Sequence, residues 1–180
     1  MAAIITEKFR LQNASQFAES FSETNEHFYM FLGKATPFTS TTSGGSDTSP
    51  PTPVDDITSE NYRWDSMIGA NAIASSDVSR GVPRRTYTSG TTYDMYEHNI
   101  SSSNAANSGA TNLFDSTYFV MNSSNAVYKV IENDGATAST VEPTSTSNSI
   151  FETSDGYRWK YMYSLTSSET LNFMSTDFIH

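Results

Sequence analysis

An alternating aromatic segment near the carboxyl end, residues 155–165, constrains the fold more than any other part of the chain. Its opening Asp-Gly pair favours a turn, because glycine accepts a positive φ without a steric penalty. Large apolar side chains then recur at every second position, and this period places them on one face of a β-strand. Burying each of them contributes roughly 1.5–3 kcal/mol. The segment therefore predicts a core strand whose buried face carries Tyr157, Trp159, Tyr161, Tyr163 and Leu165.

Other segments predict further strands. Phe28–Gly33 is a wholly apolar run of strand length, and we expect a central strand there because the run is too apolar to be half exposed. Residues 117–122 and 126–131 are typical of a hairpin with its turn at 123–125. Tyr93, Met95 and residues 98–100 indicate one more strand.

Helical signals are few. Residues 6–10 favour an extended lead-in to a helix over 14–21, which Asn13 would cap. Residues 55–67 predict a short helix with Trp64 and Met67 as its buried pair, and 167–173 a weak one. Short strands between polar segments predict a mainly β fold, a single β-sandwich-like domain over 1–180 with one or two short helices.

Three polar segments are expected to be long loops, at residues 39–53, 101–112 and 133–149. The first consists of Ser, Thr, Gly and Pro with a single Asp, so it cannot bury enough surface to offset its chain entropy. Segments of this length usually act as linkers or carry function.

Charge and composition exclude several classes of partner. The formal net charge of −10 disfavours a nucleic-acid backbone or an anionic membrane surface and suits a basic protein partner. The chain has no cysteine, so neither a disulfide framework nor a thiolate metal site is expected, and this fits assembly in a reducing cytosol. No apolar run reaches about 18 residues, and the start of the chain predicts no signal peptide.

The sequence contains only weak candidates for catalytic, metal-binding or phosphate-binding motifs. His27, His98 and His180 have no metal-ligand spacing. There is no Gly-x-Ser-x-Gly elbow and no phosphate-binding glycine loop. The sequence therefore predicts no catalytic residue, no metal and no cofactor. A hydrolase would need a Ser or Asp beside His27 or His98 in a pocket.

One basic cluster stands out in this acidic chain. Arg84 and Arg85 follow Pro83, and they form either a solvated turn or a clamp for carboxylates, which arginine binds in a bidentate manner. We take both residues, with Lys34, as the candidate interface. The aromatic strand also has two interpretations, because a sugar-stacking platform would use the same side chains but leave them exposed.

The order of several motifs resembles the baseplate wedge subunit of T-even-type contractile-tail phages, the product of their gene eight. The most specific is the Gly-Tyr-x-Trp strand at 156–159, and the others lie along the whole chain in the same order. The matching segments are residues 6–10, 28–38, 64–69, 82–85, 127–130 and 155–163.

This resemblance implies a structural role in the virion, in which the three polar loops are contact segments that order only against neighbouring proteins. Family subunits are built of β-sandwich domains, are not enzymes, and join neighbouring wedge proteins, with a homodimer among their contacts. The expected partners are other baseplate or tail proteins, with assembly in the host cytoplasm and without nucleic acid or membrane. Because this chain stops at His180, we expect a short or truncated form. The competing function is a carbohydrate-binding β-sandwich module of a tail fibre or adhesin.

Overall fold

The chain forms two compact units, Met1–Ser79 and Arg80–His180. The computed structural model describes residues 7–33, 46, 48, 49, 52, 64 and 67–180. These residues form a mainly β structure with two short helices and several antiparallel sheets, which confirms the predicted fold class. The grouping of residues 1–180 into a single domain stays a prediction.

The first unit contains one helix and one strand pair. Helix α1 spans Glu7–Ser20, and strands β1 (Phe28–Gly33) and β2 (Met67–Ile73) pair antiparallel. A short 3-10 turn follows at Ser75–Asp77. The predicted extended lead-in is wrong for residues 7–10, because Glu, Lys, Arg, Leu and Gln in this region all favour helix. None of the described helices has the length and apolar character that crossing a bilayer requires.

The second unit is built on a four-stranded antiparallel sheet in the order β4-β5-β7-β6. A separate two-stranded pair joins β3 to β8, and helix α2 lies between β7 and β8 in the chain. The bounds are β3 Val82–Pro83, β4 Phe119–Met121, β5 Ala126–Asn133, β6 Phe151–Glu152, β7 Tyr157–Ser164, α2 Ser167–Phe173 and β8 Phe178–Ile179.

The larger of two buried clusters in this unit lies on one face of the sheet. Tyr157 and Trp159 of β7 are fully buried, and their rings stack with centroids 5.3 Å apart. Tyr93 meets the Trp159 ring edge-on at 6.2 Å. Val120, Ala126, Tyr128 and Val130 from β4 and β5 complete this cluster, and Tyr161 packs against its border. The alternation of β7 thus places its first two rings in the core.

A β-bulge divides the aromatic strand between two faces. In the β5–β7 register Tyr128 faces Tyr161 and Val127 faces Tyr163, so Met162 is an extra residue on β7. Tyr163 packs against a second buried cluster of Met121, Val127, Leu165 and Ile179. The prediction that Tyr163 and Leu165 share a face with Trp159 is therefore wrong, because one inserted residue inverts the alternation.

Asp155 ties the loop at 133–149 to the start of β7. Its Oδ2 accepts hydrogen bonds from Ser139 Oγ (2.9 Å), Thr140 N (2.8 Å) and Val141 N (2.9 Å). Desolvation alone would raise the pKa of Asp155, but these bonds and one from Thr153 outweigh it and lower the pKa to about 2. The carboxylate thus holds this loop together with a short antiparallel bridge between Thr91 and Ser139.

Asp94 likewise holds residues 101–118 in place through hydrogen bonds to its carboxylate. It is buried, and it accepts hydrogen bonds from Ser108 N (2.7 Å), Ser116 Oγ (3.0 Å) and Thr117 N (2.8 Å). Burial would raise its pKa, but the hydrogen bonds lower the pKa below the ordinary value. The strand predicted over Tyr93–Ile100 is wrong, because Asp94 directs this backbone to a loop. Within the second unit, both polar loops are held by their own chain, contrary to the expectation that they order only against neighbours.

We expect Gly156→Ala to lower the free energy of unfolding by about 2–3 kcal/mol. Gly156 has φ +82°, and an added Cβ would lie 2.7 Å from Asp134 Cγ. Gly90→Ala is the matched control, since Gly90 has φ +86° but nothing within 4 Å of the new Cβ, so only about 1 kcal/mol should be lost. Urea unfolding measures both, and equal losses would contradict the close approach of Asp134.

A second prediction concerns the stability of the protein at low pH. Because the pKa of Asp155 falls from 3.8 to about 2 on folding, its stabilisation is complete above pH 3.8 and is lost as the pH falls toward 2. Asp155→Asn should therefore lower the free energy of unfolding by about 1–2 kcal/mol at pH 7, allowing for solvent screening. Urea titrations from pH 7 to pH 3 should show this difference shrinking. A difference that does not depend on pH would contradict the proposed role of the charge.

Candidate protein interaction site

The first unit exposes a two-stranded apolar ribbon, which we define as β1 (Phe28–Gly33) with β2 (Met67–Ile73). Strand β1 has the predicted bounds, but among the described residues it pairs with β2 alone and is not a central strand. Tyr29, Leu32 and Ile68 are 67%, 63% and 66% exposed, and Met30 and Phe31 are 56% and 48% exposed. The run Tyr-Met-Phe-Leu therefore presents large apolar side chains on both faces of the pair.

The expectation of a buried strand is wrong because the described residues provide too few neighbours. The described sheet contains only β1 and β2. Helix α1 meets the start of β1, where the Phe17 and Phe28 rings lie 6.3 Å apart. Among the described residues, every buried hydrophobic side chain lies in the second unit. An isolated strand pair is marginal in water, and a contiguous exposed apolar patch marks a contact surface.

Other predictions for this unit have mixed outcomes. Trp64 is 70% exposed, so it does not form a buried pair with Met67, which instead begins β2. Lys34 lies outside the described residues, as do most of residues 39–53 and of the helix predicted at 55–67. The interface role of Lys34 stays a prediction.

Arg84 and Arg85 stabilise the second unit from within. Arg84 donates from its backbone N to Asp177 O (2.8 Å) and from its guanidinium to Ser175 O (3.0 Å), which fastens β3 to the segment before β8. The Arg85 guanidinium donates to Phe114 O and lies 5.1 Å from the centre of the Phe119 ring. In the described part of the chain, the two salt bridges involve neither arginine. The guanidinium groups of both arginines thus bind backbone carbonyl oxygens. The role of the two arginines at an interface stays a prediction.

The geometry gives little support to the two competing functions, sugar binding and hydrolysis. Tyr157 and Trp159 are fully buried, so they cannot form an open shelf for sugar stacking. His98 does not line either of two surface pockets that lie in the second unit. Over the described ranges, no group of three or more His, Asp or Glu side chains is placed to hold a metal ion.

A unit with a closed β core and another unit with an exposed apolar strand pair are typical of a structural protein that neighbouring subunits bind. Residues 3–139 match the protein family described as Bacteriophage T4, Gp8, and the chain therefore belongs to the Phage-Gp8 family. No curated protein matches the chain. The family consists of structural baseplate proteins, so the chain is a baseplate component of the virion that contacts other baseplate proteins. The matched range includes β1 to β5 and ends before β6.

We expect Arg85→Lys to lower the free energy of unfolding by about 1–2 kcal/mol, because lysine cannot both reach the Phe114 carbonyl and stack on Phe119. Arg158→Lys is the control, since its exposed pair with Glu132 at 3.1 Å should contribute less than about 0.5 kcal/mol. Urea unfolding followed by tryptophan fluorescence measures both. Unchanged stability of Arg85→Lys together with lost assembly would instead support the interface role.

Proposed function

We propose that this chain is a wedge component of the baseplate that joins neighbouring tail subunits in a contractile-tail phage, and that it catalyses no reaction. The observation that carries the proposal is the apolar ribbon, whose large side chains stay open to water while the second unit closes its own core. The family match supports the baseplate setting. The joining role is our inference from the exposed surface.

The free energy of apolar burial favours a state in which a partner covers the apolar ribbon. Each of the exposed side chains from Tyr29 to Leu32 would contribute roughly 1.5–3 kcal/mol if a partner buried it fully. Part of this gain offsets the loss of translational and rotational freedom on association, which costs about 4–15 kcal/mol. A partner that covers both faces of the ribbon can exceed that cost.

Pairing along the strand edges would add hydrogen bonds to this burial. In the described sheet, β1 and β2 each pair on one side only, so a strand from another chain can extend the ribbon. A second copy of this chain could do so through a two-fold axis, and we propose a homodimer as one of the contacts. Assembly in the host cytoplasm is also proposed, and the absence of cysteine suits it.

Leu32→Asp tests the proposal. A charge at this exposed position of the ribbon should reduce incorporation of the chain into baseplates at least about ten-fold, because burying an unpaired carboxylate costs several kcal/mol. Leu171→Asp is the matched control, since Leu171 is 84% exposed on α2 and lies outside the ribbon. Quantitative immunoblots of purified tails measure incorporation, and sedimentation velocity of the purified variants measures dimer content.

The two variants should separate clearly. We expect Leu171→Asp to enter tails like the unchanged chain, and both variants to keep the same far-UV circular dichroism. Normal incorporation of folded Leu32→Asp would refute the joining role of the ribbon. A chain that enters no baseplate and turns over a substrate would refute the proposed function as a whole.

A further inference from the structure

The second unit carries an apolar pocket on the sheet face opposite to Trp159. Its volume is about 240 Å³, and Val82, Phe119, Val127, Met162, Tyr163 and Lys129 are among its lining residues. The β7 bulge helps to form it, since the extra residue Met162 brings Tyr163 to this face. Met162 is 48% exposed at the pocket. Cavities of about 150 Å³ hold benzene, so there is room for one phenyl ring or large aliphatic side chain.

Positive charge adjoins the pocket. Lys129 of β5 lies directly opposite Lys160 of β7 in the strand register. Like charges in such a pair destabilise a sheet. The Lys129 Nζ lies 3.8 Å from the centre of the Tyr96 ring, and the Lys160 Nζ donates to Asn148 O. Neither of the two salt bridges among the described residues includes these lysines.

This arrangement is unusual for a chain with a net charge of −10. Arg85 adds a third cation, because its guanidinium lies over the ring of Phe119, one wall of the pocket. An apolar pocket with cations at its edge is complementary to an apolar side chain that has a carboxylate beside it. A basic segment would be repelled there.

The edge of β7 next to the pocket offers a place for an extended segment. Strand β6 is only two residues long and pairs with Trp159 and Arg158. In the described part of the sheet, no strand pairs with the outer edge from Tyr161 to Ser164. Extended peptides commonly add to such edges and insert alternate side chains into pockets.

We propose that this face binds an extended, acidic segment of a neighbouring baseplate protein. The segment places one aromatic or large aliphatic side chain between Phe119, Val127 and Tyr163, and a carboxylate next to Lys129. This inference rests on the proposed joining function and adds a second contact, separate from the apolar ribbon.

The test uses the full chain with labelled methionine methyl groups and two small probes of similar size. 3-Phenylpropionate carries a ring and a carboxylate, and phenethylamine carries a ring and a cation. The NMR signal of Met162, assigned with Met162→Leu, should shift saturably with 3-phenylpropionate, with a dissociation constant of about 1–10 mM. Phenethylamine should bind at least about five-fold more weakly, because the lysines repel it.

Charge-removing variants complete the test. Lys129→Gln combined with Lys160→Gln should weaken 3-phenylpropionate binding about three- to ten-fold, whereas Lys8→Gln, on α1, should leave it unchanged. No saturable Met162 shift, or equal binding of the two probes, would overturn the proposal. A Met162 shift that depends on protein concentration alone would also overturn it, since a second copy would then be the occupant. Incorporation of Leu32→Asp into tails reports on the joining function independently.

Discussion

Burial of the Tyr157 and Trp159 rings is the contact on which the second unit depends. The two ring centroids lie 5.3 Å apart on the buried face of the sheet. The polar atoms of both side chains also form hydrogen bonds with loop residues. The Tyr157 hydroxyl donates to Thr137 O at 2.5 Å and accepts from Tyr93 N at 3.2 Å, while Trp159 Nε1 donates to Thr153 Oγ1 at 3.1 Å. The same side chains therefore supply apolar burial and satisfy loop groups that would otherwise be buried without partners.

Hydrogen bonds to buried or half-buried carboxylates order the polar loops of the second unit, as hydrogen bonds between strands order its sheet. Asp94 and Asp155 each collect backbone N–H groups from segments that have no regular structure. Several hydrogen bonds to one ionised carboxylate outweigh its desolvation, which is why both pKa values fall below the ordinary range. A chain rich in Ser and Thr can in this way order long polar loops with a modest apolar core.

The two units differ in how complete they are. The second unit closes its core with its own side chains, whereas the described part of the first unit leaves Tyr29, Leu32 and Ile68 open to water. A subunit that is bound on several sides in an assembly has this character, because part of its apolar surface is buried only by its neighbours. Membership of the Phage-Gp8 family provides that setting.

The sequence by itself determined the features that depend on neighbouring residues: the strand bounds of Phe28–Gly33, the hairpin strand predicted over 126–131, helix α2 and the ring alternation up to Tyr161. Local periodicity and turn chemistry act over a few residues and are visible in the chain. Only the tertiary structure decided the bulge at Met162, the exposure of β1 and the carbonyl acceptors of Arg84 and Arg85. These features depend on register and on which distant segments supply a covering layer, and apolar character alone carries no information about either.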